Sequence, residues 1–427
     1  MKNQASVTHA WCMYDWANSV FSLTIATSIF PIYFQNVTGN TAGIIEIGGM
    51  AFKNTAVYSF LLSFAFLLVA VINPLLSGLS DVAGIRKRFM GTFTALGSGA
   101  CIFLYFFDSN HVWVGTTGFT IATMGYAGSL VFYNAYLPEI ATPDRFDKLS
   151  AKGFALGYIG SVILLIFNLI CIEFYNHIGF QSEGQAVRFA FLTVGIWWGG
   201  FGFASIRKLP HEGKAYTHGG KLLLKGYQES IKVFRNIRKV PLQIGFLSTF
   251  FFYSMGTQTV LYIATLFGTD ELHLPADKLI ITILLIQFVG IAGAYLFAYI
   301  SKIKSTFFSI MIMIWVWMGV CIAAYFTHHE WQFYLLAIAV GSVMGGIQSQ
   351  SRSAFAALIP GSHDNASYFS FYELAEKSAV VLGTFSYGLL IELTGTMRNS
   401  ILVLSAFFVL GLVFMFRLMK LRKKELN

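Results

Sequence analysis

The chain has 427 residues, 56% of them hydrophobic and only 11% charged, with a formal net charge of +9 at pH 7. An ordinary soluble domain carries about 25% charged residues, and a large soluble protein with buried helices would still need polar faces that these apolar runs lack. The composition therefore excludes a water-soluble fold. The 43 Phe, 20 Tyr and 40 Gly suit a polytopic membrane protein, whose aromatic side chains belt the interfaces and whose helices tolerate glycine.

No cleavable signal peptide is expected: MKNQASVTHA carries only Lys2, and no small-residue cleavage site follows a short apolar core. Apolar runs near 11–35, 56–77, 89–107, 112–138, 153–175, 188–206, 241–268, 279–300, 305–327, 331–359, 366–391 and 399–417 predict twelve spans, since about 20 apolar residues cross a bilayer core of roughly 30 Å. With both termini in the cytoplasm, Arg86-Lys87-Arg88, the stretch 207–239 and the tail from Arg417 to Lys424 all fall on inner segments, the positive-inside bias. The basic balance then describes topology and contact with anionic lipid, and nucleic acid is not an expected partner.

Span one opens with WCMYDWANSVF. At 100° per residue, Asp15, Ser19 and Ser22 share a face with Asn18 beside it, so Tyr14, Asp15 and Asn18 are candidates for a substrate or ion pathway. Asp15 has two readings: a cap or ion pair about one turn inside the cytoplasmic edge, or an interior charge on a pathway. After span two, SGLSDVAGIRKRF places Asp81, Gly84, Arg86 and Lys87 in a short loop read as a gate. Gly84 permits a tight reversal, and Asp81 at a helix end can pair with the basic residues or cap a neighbouring helix. The Asn73-Pro74 pair is expected to bend span two and free a carbonyl that Asn73 or a neighbour must satisfy. Tyr133 and Asn134 are polar groups low in span four, and Gly153, Gly157 and Gly160 allow close helix contact in span five.

Residues 207–240 form the long polar linker between two six-span halves, 1–206 and 241–427. Leu224, Tyr227, Ile231 and Phe234 at helical spacing, with Lys225, Lys232, Arg235 and Arg238 around them, predict an amphipathic helix on the inner leaflet. In span seven, Gln258 is a candidate midplane hydrogen-bonding residue. Span ten holds Gln348, Ser349, Gln350, Ser351, Arg352 and Ser353 in succession; they point all round a helix, so the helix is buried in protein or borders a wet cavity. Arg352 lies roughly 12 Å along the helix from Pro360. It either snorkels to the interface or needs an anionic partner, a protein or substrate carboxylate or a phosphate.

Span eleven begins FSFYELAEKSAVV, with Tyr372, Glu373, Glu376 and Lys377 as further candidates. Glu373 and Lys377 are four apart in the favourable order for an ion pair, which leaves Glu376 without a local cation. Arg352 is thus expected to pair with Glu376, or with Asp15 across the halves. A carboxylate that changes partner with conformation can couple a proton to transport. A fixed salt-bridge cluster is the other reading.

The loop SGLSDVAGIRKRF resembles the cytoplasmic loop signature of the major facilitator superfamily, with Ser77 where a glycine is usual and Val82 where a basic residue is usual. The equivalent second-half loop is only SKIKS, so its clamp is expected to be weak or absent. YDWANS, FYNAYLPEI, LSAKGFALGYIGS and GGIQSQSRSAFAALIP resemble the branch that contains the fungal vacuolar amino-acid effluxers linked to autophagy and bacterial members of unassigned substrate. The resemblance implies an all-α membrane protein of two six-helix halves that moves a small solute by alternating access; it supplies no binding residues. The expected cargo is an amino acid or similar zwitterion, with protons as coupling ion and export as one direction. The rival is a non-transporting sensor on the same fold.

Enzyme readings fare poorly. No Walker GxxxxGK[ST] is present, the nine His lack metal-ligand spacing with a carboxylate, and Cys12, Cys101, Cys171 and Cys321 are scattered without CxxC spacing. Neither a cofactor, a metal nor a protein partner is expected.

Overall fold

The computed structural model describes residues 2–38, 44–47, 50–211, 222–361, 364–394 and 396–426. In chain order its helices are α1 (Ala5–Val20), which runs through π-helical turns at Phe21–Ile29 into α2 (Phe30–Thr38), then α3 (Asn54–Ala83), α4 (Arg86–Phe103), α5 (Val112–Ala135), the short α6 (Leu137–Ile140), α7 (Phe146–Glu173), the short α8 (Tyr175–Ile178) and α9 (Glu183–Lys208). After the linker come α10 (Leu222–Lys239), α11 (Pro241–Leu266), α12 (Ala276–Ile303), α13 (Thr306–Tyr325), α14 (Glu330–Leu358), α15 (Asn365–Thr394) and α16 (Met397–Leu426). Among the described residues, nine helical runs are long and apolar enough to cross a membrane, and they fall on nine of the expected spans. The other three positions are occupied by α5, α11 and α15, with 24, 26 and 30 residues. Each of these carries polar side chains that line an internal cavity, such as Asn134, Gln258 and Glu376.

One element departs from the all-helical expectation. Between α2 and α3, strands β1 (Ile44–Ile47) and β2 (Met50–Lys53) pair antiparallel, with Ile44 opposite Lys53 and Ile47 opposite Met50.

In the first half α4 packs on α5, and α1 on α7 and α9; in the second, α12 packs on α14 and α11 on α15 and α16. The halves meet where α7 crosses α12 and α14, and where α15 crosses α3 and α5. In lipid no hydrophobic force drives helices together, so close packing of small residues and interhelical hydrogen bonds must do so. The glycine face of α7 shows this. A Cβ at Gly157 would lie 2.6 Å from Ser19 Oγ, so only glycine lets α7 approach α1 this closely. Of the two groups anticipated to satisfy the carbonyl freed by Pro74, Asn73 or a neighbour, Asn73 is not the one: it is buried and its side-chain amide makes no hydrogen bond among the described residues.

Residues 212–221 of the expected linker lie outside the described residues. Residues 207 and 208 end α9 and residues 222–239 form α10, which packs on α3 with Gly226 against Leu79 and the Ser230 hydroxyl donating to the Pro74 carbonyl. The docked face is not the expected apolar stripe, of which Leu224, Tyr227 and Phe234 remain exposed beside it.

Candidate functional site

A cavity of about 250 Å³ lies between the halves, bounded by α1, α3, α5, α7, α11, α12, α14 and α15. At its base, Arg352 of α14 reaches across to the first half. Its Nη1 and Nη2 each donate to Asp15 Oδ2 at 3.2 Å, Nε to Ser150 Oγ at 2.9 Å, and Nη2 to the Ser150 carbonyl at 3.0 Å. Nη1 also donates to Asn134 Oδ1 at 3.4 Å. The guanidinium carbon stands 4.3 Å from the Phe154 ring centroid, 4.6 Å from Trp11 and 5.3 Å from Tyr133. The Tyr133 hydroxyl donates to the same Asp15 oxygen at 2.6 Å, and the Trp11 indole N–H to the Tyr133 carbonyl at 2.9 Å. Of the two partners anticipated for Arg352, the structure selects Asp15. Side-chain exposures of 3% and 6% make this a buried pair, whose attraction repays desolvation only because the remaining donors are also satisfied. Gly153 makes room for it: a Cβ there would lie 2.4 Å from Asp15 Oδ2 and 3.0 Å from Arg352 Nη2.

The second charged group sits on α15. Lys377 Nζ lies 3.3 Å from Glu373 Oε2, four residues away, and 2.8 Å from Glu376 Oε2. Glu376 is therefore not left without a cation, because the lysine side chain bends toward its sequence neighbour as well as along the helix. Glu376 Oε1 accepts from Gln258 Nε2 at 3.1 Å, and Glu373 Oε1 from Asn134 Nδ2 at 2.9 Å. Asn134 thus joins the two charged groups, donating to one and accepting from the other.

Beneath the cavity, at the end of the bundle where the Asn3 amide docks on the Ile140 carbonyl, further bonds join the halves. Gly84 turns the chain after α3 with φ of 65°, a left-handed conformation suited to glycine. Asp81 pairs with Arg86 at 3.0 Å and caps α15, accepting from the Ser367 N–H and hydroxyl, both at 2.7 Å. Arg86 also pairs with Glu139, which accepts from Asn365 of the second half at 3.1 Å. Lys87 does not join this gate; its ammonium donates to the Arg207 and Leu209 carbonyls at 2.9 and 2.7 Å, pinning the end of α9. The second-half loop, expected to lack a clamp, has one whose acid comes from the first half. Asp147 at the start of α7 accepts from Ser301, Thr306 and Ser353. Asp147 and Ser150 escaped the sequence reading because neither sits in an apolar run where a polar residue looks out of place.

The remaining candidates are scattered around this core. Gln348 accepts from the Tyr158 hydroxyl across the halves at 2.9 Å, and both line the cavity. Tyr372 stacks on Phe250 with centroids 4.2 Å apart. Asn18 lines the cavity with its Nδ2 unpartnered among the described residues. Tyr14 is not a cavity residue: it turns into the first half, fully buried, with its hydroxyl 2.7 Å from Thr94 Oγ1. Helical geometry explains the split, since Tyr14 and Asp15 are 100° apart around α1. Away from the spans, the Glu229 carboxylate beside Lys232 raises that ammonium's pKa, and the His111 ring holds the Asp108 carboxyl below its usual range.

Comparison with known proteins places this architecture. The family described as "Vacuole effluxer Atg22 like" matches residues 3–426. An uncharacterized MFS-type transporter, YxiO of Bacillus subtilis, is 28% identical, with 97% of this chain and 95% of that protein aligned. Autophagy-related protein 22 of Yarrowia lipolytica is 25% identical over 86% of this chain and 76% of its own length. Among solved structures, the human organic anion transporter MFSD10 aligns with TM-score 0.72 at 12% identity, over 97% of this chain and 100% of that one. The major facilitator transporter FucP, in its outward conformation, aligns with TM-score 0.69 at 12% identity over 97% and 98%. The chain is an integral, multi-pass, all-α membrane transporter of the major facilitator fold and belongs to the Atg22-like effluxer family.

Proposed function

We propose that this transporter is a secondary carrier that moves a small polar solute, an amino acid or similar compound, by alternating access coupled to protons. The observation that carries the reading is the Arg352–Asp15 pair, which ties α14 to α1 directly below a polar cavity between the halves. Such a pair must break if the halves rock apart, so cargo, protons and conformation would act on the same few charges. The amino-acid cargo is supported by resemblance to the fungal vacuolar effluxers. The charge distribution supports two cytoplasmic termini, and the Bacillus subtilis relative supports a bacterial plasma membrane.

The test is uptake into proteoliposomes of a labelled amino-acid panel under an imposed proton gradient, beside the Arg352→Ala variant. Gradient-driven uptake in the wild type that is lost in the variant is the expected result. Folded, inserted wild-type protein that takes up no member of the panel under any gradient sinks the amino-acid reading.

A further inference from the structure

Among the described residues, five charged side chains line the cavity, and their signs do not balance: Asp15, Glu373 and Glu376 face Arg352 and Lys377. Asp15 and Arg352 neutralise each other. Lys377 is shared by two carboxylates whose side chains are 4% and 18% exposed, so one negative charge is left over. An uncompensated carboxylate in such a place is costly and is relieved by binding a proton or a cation. We infer that the Glu373–Lys377–Glu376 cluster is the cargo's recognition site, taking a primary ammonium group in exchange for one proton, and that Arg352 does not touch the cargo. This rests on the reading of the cavity as a carrier's binding site.

Arg352 has no donor to give. Its five N–H groups are matched by five hydrogen bonds, to Asp15 twice, Ser150 twice and Asn134 once, and Phe154 and Trp11 lie against its planar group. A cargo carboxylate would first have to displace Asp15. Glu376, by contrast, is the most accessible of the three carboxylates, at 18% against 4% for Glu373 and 6% for Asp15. Glu373 Oε2 meets the Lys377 ammonium at 3.3 Å and has a second lone pair with which to accept a hydrogen bond. Asn18, Ser161 and Gln287 each line the cavity and are over nine-tenths buried, with a side-chain polar atom unpartnered among the described residues. They are suited to the neutral, hydrogen-bonding remainder of a cargo.

The exchange is balanced. Before cargo enters, one proton is shared by the Glu373 and Glu376 carboxyls; as the ammonium docks, that proton leaves to bulk solvent. The ammonium N–H groups then donate to the freed oxygens, and the net charge of the cluster is unchanged. The other groups around it are the Tyr126 phenol and Asn134 from α5, Tyr253, Gln258 and Tyr262 from α11, Tyr372 on α15 itself, and the Asp15–Arg352 pair. From α3 comes the ring of Phe66, whose centroid lies 5.3 Å from Lys377 Nζ. The phenols ordinarily stay neutral below about pH 10, so the charge of the cluster is carried by the two glutamates and Lys377.

Two measurements on the reconstituted full chain test this. Infrared difference spectra should show a buried protonated carboxyl band that titrates with pH, disappears in Glu376→Gln and equally in Glu373→Gln, since either leaves a single carboxylate matched to Lys377, and is suppressed in the wild type by isoamylamine but not by isocaproate. These probes are leucine without its carboxylate and leucine without its amine. In leucine uptake, isoamylamine should inhibit and isocaproate should not, with inhibition weakening about tenfold per pH unit once the cluster is protonated. Inhibition by isocaproate and not by isoamylamine would return recognition to Arg352 and overturn the inference. So would the absence of any titrating band, or an unchanged one in Glu376→Gln. A band suppressed by isoamylamine in the wild type, with no leucine movement, would support the site while removing leucine as cargo.

Discussion

Replacing Asp15 by asparagine keeps the shape of the side chain and removes its charge, leaving Arg352 buried at 3% exposure without a counter-ion. Breaking a buried pair from one side costs about 3–5 kcal/mol. The neighbours soften this, because Ser150, Asn134 and the Trp11 and Phe154 rings still hold the guanidinium; about 2–4 kcal/mol against the form with the halves joined is the expected loss. At about 1.4 kcal/mol per factor of ten, the population with the halves apart at the terminal-bearing end should rise roughly thirtyfold to several hundredfold. Spin labels on cysteines introduced at Arg145 and Lys304 read this directly. Both positions are exposed, lie on opposite halves near the Asp147 clamp, and the four native cysteines are buried. Double electron–electron resonance should show the short-distance population of the wild type giving way to a longer one in Asp15→Asn. The double variant Asp15→Asn with Arg352→Gln should recover much of the short population, since no buried charge is then left unpaired. If a folded Asp15→Asn variant keeps the wild-type distance distribution, the pair does not hold the halves together and the reasoning is wrong.

Three further outcomes follow from the same geometry. Gly153→Ala puts a Cβ 2.4 Å from Asp15 Oδ2, an overpacking of about 1–3 kcal/mol; the same spin-label pair should shift in the direction of Asp15→Asn, by less. Asp81→Asn removes the charge that pairs with Arg86 and caps α15; hydrogen exchange at the Ala366 and Ser367 amides should speed up by about fivefold or more, given about 1 kcal/mol for a lost cap, while amides near the cavity stay protected. Asp108 is held below the ordinary carboxylate range by the His111 ring, so its contribution to stability is present above that range and fades as the pH falls through the lowered value. A wild-type melting temperature that falls on acidification by more than that of Asp108→Asn is the expected signature, and equal falls would show that the contact contributes nothing measurable.

Much of this protein was legible along the chain, because bilayer thickness and helix period are local constraints that each segment must meet for itself. Apolar runs marked the spans. The order Glu373 before Lys377 announced their ion pair at 3.3 Å, and Gly84 in a short basic loop announced a reversal at positive φ. Pairing between helices depends on rotation, depth and neighbours that no local pattern records. Asp15 and Arg352 are 337 residues apart in sequence, and only the crossing of α1, α7 and α14 made them partners rather than Arg352 and Glu376. The same crossing turned Tyr14 away from the cavity, brought Ser150 under the guanidinium, and gave the weak second-half loop its acid from Asp147. The sequence determined which charges enter the membrane; only the tertiary structure decided which would neutralise each other and where one would be left over.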